Sequence, residues 1–213
     1  FLDITGRPYD ENIISNIYAY FLDPQKEHGF ASLFLDALNA CIEERDILMD
    51  NFKVEREYLT NNGGRIDLVI TEELKNADEP PKCIIIENKI YHYLANDLDD
   101  YYESVTDYYE KTGIVLTIEN SGIPHEKFVN ITHRQWVNEI KKRLGNYIGK
   151  AHLHYLSVLQ NFLQHIDSLY INSASMEVIN FLYQNGKKID ELRELENMGL
   201  NHLTEKIRQA IEN

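Results

Sequence analysis

Apolar positions along the chain change period several times, and the changes divide it into elements. Ile13, Ile14, Ile17, Tyr18 and Phe21 recur at helical spacing behind Asp10, a good helix cap, and Leu22-Asp23-Pro24 stops the run. Phe30, Leu33, Phe34, Ala37, Leu38, Cys41 and Ile42 predict a second amphipathic helix. Lys53 to Leu59 then alternates as a strand, with Val54, Arg56 and Tyr58 on one side and Glu55, Glu57 and Leu59 on the other. Asn61-Asn62-Gly63-Gly64 is a hairpin turn signal, Ile66 to Ile70 predicts the second strand, and Cys83 to Lys89 the third after a polar loop containing Pro80-Pro81. Leu94, Leu98, Tyr101, Tyr102, Val105, Tyr108 and Tyr109 predict a helix whose other face carries Asp97, Asp99, Asp100 and Asp107. Two more strands (Gly113 to Ile118, Phe128 to Thr132) precede a short helix (Trp136 to Leu144) and a long one (Ala151 to Tyr170) bearing Leu156, Leu159, Leu163 and Ile166.

The order α-α-β-β-β-α-β-β-α-α predicts an α/β domain over residues 1–170, a mixed β-sheet flanked by helices. Residues 171–213 are polar and helical in propensity, so they form a C-terminal extension or the start of a further domain. No Gly-rich strand-to-helix turn of the Rossmann or P-loop kind is present, and no Ser or Cys nucleophile motif.

Composition narrows the setting. At 213 residues and 43% hydrophobic content the chain can bury a real core, and no run of 18 apolar residues predicts a membrane span. Phe1-Leu2-Asp3-Ile4 does not read as a signal peptide. A start without Met and a helix-like finish (Leu203 to Asn213) suit a fragment of a longer protein. Cys41 and Cys83 cannot make a disulfide framework and read as buried free thiols, which makes the cytoplasm the expected compartment. The eight histidines show no paired-ligand spacing, so zinc is not expected, and His28 beside Gly29 is expected where a helix begins. A net charge of −14 weighs against binding a phosphate backbone, which depends on Lys and Arg releasing counterions. Local basic strips at Lys141-Lys142-Arg143, Lys187-Lys188 and Arg65 are the candidates for a grip.

The chemistry concentrates in Gly63-Gly64-Arg65-Ile66-Asp67-Leu68-Val69-Ile70 and Ile84-Ile85-Ile86-Glu87-Asn88-Lys89. Alternate strand residues share a face, so Glu87 and Lys89 leave the backbone side by side, and pairing of the strands adds Asp67. Two carboxylates suit a hard cation such as magnesium. A lysine beside them can orient or deprotonate an attacking water. Glu-x-Lys alone means little, since the chain contains three, but only Glu87-Asn88-Lys89 follows a β-branched run with a strand-embedded Asp 20 residues upstream. A plainer reading makes Glu87 and Lys89 solvated charges and Asp67 the close of a turn. Against it, Asp is disfavoured inside a strand.

This pattern resembles the PD-(D/E)XK nuclease superfamily, with its restriction-endonuclease-like core, and within it bacterial proteins of unassigned role. The resemblance runs from about Glu11 to Tyr170. It implies a metal-dependent nuclease acting on phosphodiester bonds, DNA before RNA, with Mg2+ or Mn2+ held by Asp67 and Glu87 and with Lys89 activating water. It further implies that Asn88 offers its backbone carbonyl to the metal and that Glu11 completes the site. Glu11 has an equal claim as a helix N-terminal carboxylate favoured by the dipole. Ile66 stands where the motif has Pro, and Asp97 where the family's Gln-Leu-x-x-Tyr element has Gln, while Leu98 and Tyr101 fit that element. Asp97 is therefore either a further ligand or part of a solvated face. Arg65, Tyr91, Tyr93 and Asp97 are candidate nucleic-acid contacts, the tyrosines by stacking on bases or else as core residues. The implied partner is nucleic acid, not membrane, and a homodimer stays open. The competing reading is a catalytically inactive nuclease-fold module for binding or regulation, which the charge of −14 favours.

Overall fold

The computed structural model describes residues 10–42, 46–73, 81–90, 97–106, 108, 110–120, 122 and 125–171, and beyond them only residues 185, 188, 194–196, 198 and 199. Two compact units are distinguished, 1–168 and 169–213. Tyr91, Tyr93, Asp107, Tyr109 and Lys187 lie outside the described residues. Among the described residues no helix is long and apolar enough to cross a membrane.

Ten elements follow in the order α1 (Glu11–Leu22), α2 (Leu33–Asn39), β1 (Phe52–Leu59), β2 (Arg65–Glu72), β3 (Lys82–Asn88), α3 (Leu98–Ser104), β4 (Glu110–Thr117), β5 (Phe128–Thr132), α4 (His133–Tyr147) and α5 (Leu153–Ile171). The sheet order is β1-β2-β3-β4-β5. The β1–β2 and β2–β3 pairs are antiparallel, β3–β4 and β4–β5 parallel. It is a mixed sheet flanked by helices, the α/β order that the sequence predicts. β3 is central and covered on both faces, and for that reason Ile84, Ile85 and Ile86 are all fully buried.

On one face, α1, α2, α4 and α5 close over an aromatic cluster. The Tyr18 ring stacks on Trp136 at 4.4 Å and meets Phe162 edge-on at 5.0 Å. Trp136 donates its indole N–H to the Phe34 carbonyl at 2.9 Å, and Tyr18 Oη lies 2.9 Å from His133 Nδ1. His133 is fully buried, and desolvation pushes its pKa down to about 3, so it stays neutral there. On the other face, Leu98, Tyr101 and Val105 pack against Ile66, Val69, Cys83, Ile85, Val115 and Phe128.

Asp10 caps α1 by accepting from the backbone N–H groups of Asn12 and Ile13, and the extended Asp23 before Pro24 ends it. Several elements depart from the sequence expectation. α2 is shorter than Phe30–Ile42, because Gly29 and Ala31 hold positive φ values of 75° and 46° just ahead of it. His28 is not at a helix start. It is buried between α1 and α2, its Nε2 2.9 Å from the Asp23 carbonyl oxygen and its Nδ1 accepting from Phe30 N–H. Cys41 falls just past α2 and is half-buried rather than buried, and Cys83 is buried; both thiols are free. α3 ends at Ser104 rather than running to Tyr109, because Lys111 Nζ donates to the carbonyls of Tyr102 (2.6 Å) and Val105 (3.1 Å). β4 consequently begins at Glu110. α4 starts three residues before Trp136, set by a capping box of Thr132 and Gln135 that the sequence carried as Thr-x-x-Gln.

Val54, Arg56 and Tyr58 do not share one side. Arg56 Nη1 donates to Asn16 Oδ1 on α1, whereas Tyr58 Oη donates to the Ser104 carbonyl at the end of α3 on the opposite face. Glu57 between them has φ 55°, and the strand turns over there while its pairing continues from Arg56↔Leu68 to Tyr58↔Ile66.

The parallel β4–β5 contact depends on the absence of a side chain at Gly113. A Cβ there would come within 2.5 Å of the Phe128 ring, its register partner. Gly113→Ala is expected to displace that ring and cost about 1–3 kcal/mol. Urea unfolding should show this as a lower midpoint with an unchanged slope, and an unshifted midpoint would mean that the ring yields freely.

Candidate active site

Asp67 is carried on β2 and Glu87 and Asn88 on β3. The register Leu68↔Ile86, continued one step, puts Asp67 across from Glu87. Lys89 immediately follows β3, its N–H held by the Leu116 carbonyl at 2.8 Å. Glu11 reaches the same point from the first turn of α1. The structure thus brings together four of the residues singled out in the sequence, with a fifth, Asn88, tying the elements to one another.

Each has fixed partners. Asn88 N–H donates to Asp67 Oδ2 at 2.8 Å, and Asn88 Nδ2 donates to Ser15 Oγ at 2.8 Å and to the Glu11 carbonyl at 3.2 Å. Glu11 Oε1 accepts from Ile90 N–H at 2.8 Å. Lys89 Nζ stands 2.8 Å from Glu87 Oε1 and 3.8 Å from Glu11 Oε2. Glu87 is 1% exposed, and its Oε2 has no hydrogen-bond partner. Leaving a carboxylate oxygen buried without a donor is costly, so such an atom calls for an explanation.

The electrostatics follow from this crowding. Burial, then the Asp67 charge, pushes Glu87 up to about 7, with the Lys89 hydrogen bond pulling the other way. Asp67 is raised as well, first by burial, against the Asn88 N–H, Lys89 and Arg56, which favour its ionised form. For Lys89, burial opposes the charge, but Glu87, Glu11 and Asp67 together outweigh it and raise the ammonium above its usual range. Lys89 in this arrangement is charged and is a donor.

Among the described residues no three His, Cys, Asp or Glu side chains form a ready cation cage. The Lys89 ammonium is 2.8 Å from Glu87 and 3.8 Å from Glu11. The donor set still fits a hard cation in chemical kind, through two adjacent carboxylates, one with an orphaned oxygen.

A profile of the PD-(D/E)XK nuclease superfamily matches residues 1–164. The chain belongs to the PD-(D/E)XK nuclease superfamily. No curated protein matches the chain. Among solved structures it is similar to the MspJI restriction endonuclease in complex with a 27-mer oligonucleotide, at 14% identity and a TM-score of 0.27, over 72% of this chain and 34% of that one.

The remaining candidates of this superfamily member are placed unequally. Asp97 is the N-cap of α3, accepting from Asp100 N–H at 3.0 Å. Tyr101, on the same helix, donates its hydroxyl to the Arg65 carbonyl at 2.7 Å and so fixes the start of β2. The strip at Lys141-Lys142-Arg143 is committed elsewhere: Lys141 pairs with Asp167, and Lys142 and Arg143 both pair with Glu139. Arg65 pairs with Glu57. Arg56 escaped the sequence reading. Alternation assigned it only a face, and no motif flagged it, yet its charge acts on Asp67.

The cap gives Asp97 a role that needs no ligand. Asp97→Asn, which keeps a capping oxygen, should leave nuclease activity and stability near wild type. Asp97→Ala should cost about 1 kcal/mol of stability. Activity lost in Asp97→Asn at unchanged thermal midpoint would assign the carboxylate to the chemistry.

Proposed function

We propose that the protein is a metal-dependent nuclease that hydrolyses phosphodiester bonds, with DNA as the first substrate to test. The observation that supports it most is the buried Glu87 carboxylate, with one oxygen orphaned and the other on Lys89, directly beside Asp67. Mg2+ or Mn2+ would be held by Asp67 and Glu87, with the Asn88 backbone carbonyl and Glu11 as the superfamily resemblance assigns them. When bound, such an ion polarises the scissile phosphate and stabilises the leaving oxygen.

The chain's own residues do the rest. Lys89 donates from its ammonium, which orients the attacking water and offsets charge building on the phosphate. Taking a proton would require it to give up the pair with Glu87, so orientation is the role that the geometry supports. Asn88 holds Asp67 through its N–H and α1 through its side chain, keeping the carboxylates from swinging away. Glu11 anchors the chain just past Lys89 through the Ile90 N–H.

A second reading, an inactive nuclease-fold module, draws on the net charge of −14 and on the ammonium occupying the space between carboxylates. Cleavage assays on single-stranded, double-stranded and branched DNA and on RNA, with Mg2+, with Mn2+ and with chelator, separate the two. The nuclease reading expects metal-dependent cleavage that Asp67→Ala abolishes. No cleavage of any substrate hands the case to the second reading, whereas cleavage that survives Asp67→Ala means a contaminant or an active site elsewhere.

A further inference from the structure

The pairing of Arg56 with Leu68 and of Tyr58 with Ile66 puts Glu57 across from Asp67 at the candidate active site. Its carboxylate joins two guanidinium groups, one through each oxygen: Oε1 is 3.2 Å from Arg56 Nη2 and Oε2 is 3.0 Å from Arg65 Nη1. Resting on the nuclease reading for the identity of its ligand, we propose that Arg56 and Arg65 bind a phosphate of the nucleic-acid backbone, and that Glu57 is the intramolecular anion which occupies them until substrate displaces it.

The arrangement matches that role in kind. A phosphodiester also offers two charged oxygens, and arginine pairs hold such groups as they hold carboxylates. Arg56 is the anchored member, held to α1 by Asn16, with Nη2 turned to the Glu57 carboxylate. Arg65 is the exposed member and can follow an incoming ligand. Of the basic strip at Lys141-Lys142-Arg143, Lys141 pairs with Asp167 and the other two with Glu139.

The residue type at position 57 adds to the argument. The strand turns over there with φ 55°, a conformation that glycine takes freely and that Glu takes only at a cost. Backbone geometry alone would therefore favour Gly; Glu brings a carboxylate to the two arginines. Strained backbone of this kind clusters at functional sites. In a chain of net charge −14, a carboxylate placed on the arginines also screens them from adventitious anions until a polyanion arrives.

The test is binding without cleavage. Fluorescence anisotropy of a short labelled DNA duplex, and of the same single strand, is measured with chelator present at two salt concentrations. Glu57→Gln and Glu57→Gly, the second suited to the positive φ, should each bind roughly 3- to 10-fold tighter than wild type, the scale of two partly exposed ion pairs. The gain should vanish when Arg56→Gln and Arg65→Gln are also present, as a mutant cycle requires of coupled groups. It should also exceed any gain from Glu55→Gln, an exposed acid on the same strand, which keeps the test decisive if the arginine variants fail to fold. Unchanged or weaker binding by both Glu57 variants overturns the proposal, as does an equal gain in the arginine-free background or from Glu55→Gln. The two readings fail separately. Cleavage that depends on Lys89, with no effect of Glu57 on binding, removes the latch alone. Tighter binding by the Glu57 variants with no cleavage in wild type removes the nuclease alone.

Discussion

Lys89→Met should lower metal-dependent turnover on the order of 10²–10³-fold, the range for loss of one preorganised donor to the charge of the transition state. The ammonium stands 2.8 Å from Glu87 and 3.8 Å from Glu11, inside the cluster and not on its rim. Its contribution therefore falls on the water and on charge developing in the transition state, not on the grip of distant phosphates. The loss should appear in kcat and equally in kcat/KM, with nucleic-acid affinity in chelator nearly unchanged. Metal affinity gives an independent readout. Removing a cation from between carboxylates makes room for another, so calorimetry should find Mg2+ or Mn2+ bound by Lys89→Met at least as tightly as by wild type. Loss of turnover together with loss of metal binding would instead mean that Lys89 holds the ligands in place. Equal turnover by the two proteins would put the active site elsewhere.

Much of this site was legible because its parts are local. Asp10-Glu11 announces a capped helix, three isoleucines announce a central strand ending in Glu87, and the double glycine places Asp67 just inside the neighbouring strand. The cluster itself needed only strand alternation and pairing. What the sequence hid was set partly by contacts across the fold and partly by local backbone geometry. α3 stops early because a lysine from β4 takes its last carbonyls, and tyrosines at helical spacing say nothing of that. Arg56 and Tyr58 part company because Glu57 turns the strand over, where period-two reasoning puts them together. The sequence reading uses Asn88 for its backbone carbonyl alone, and its side chain proves to be the tie to Ser15 and α1. The sequence leaves Asp97 open between a further ligand and a solvated face, and the structure gives it the cap of α3. For α3 and Asn88 a partner from another element decided between roles that the residue type left open, and for Asp97 and the turn at Glu57 local geometry did.

Glu87→Gln should have opposite effects on activity and on stability. Activity should fall about as far as in Lys89→Met, through loss of one of two adjacent carboxylates suited to a hard cation. The metal-free protein, however, should become more stable at alkaline pH. Burial and the Asp67 charge raise Glu87 to about 7 from an ordinary 4.5, so the fold prefers its neutral form. A raised pKa gives stability that is fully present below about 4.5 and is lost as pH climbs through about 7. At about 1.4 kcal/mol per pH unit the wild-type penalty above pH 7 is at most on the order of 3 kcal/mol. Glutamine is neutral throughout and keeps the shape, so in chelator its urea midpoint should exceed that of wild type at pH 8 and converge with it below about pH 4.5. Divalent cation should then narrow the gap at pH 8 by stabilising only the protein that binds it. A Glu87→Gln protein less stable than wild type at pH 8 would show that the pair with Lys89 outweighs the repulsion from Asp67. The carboxylate would then be there to hold β3 and Lys89 together, and the case for a metal at this strand end would lose its strongest support.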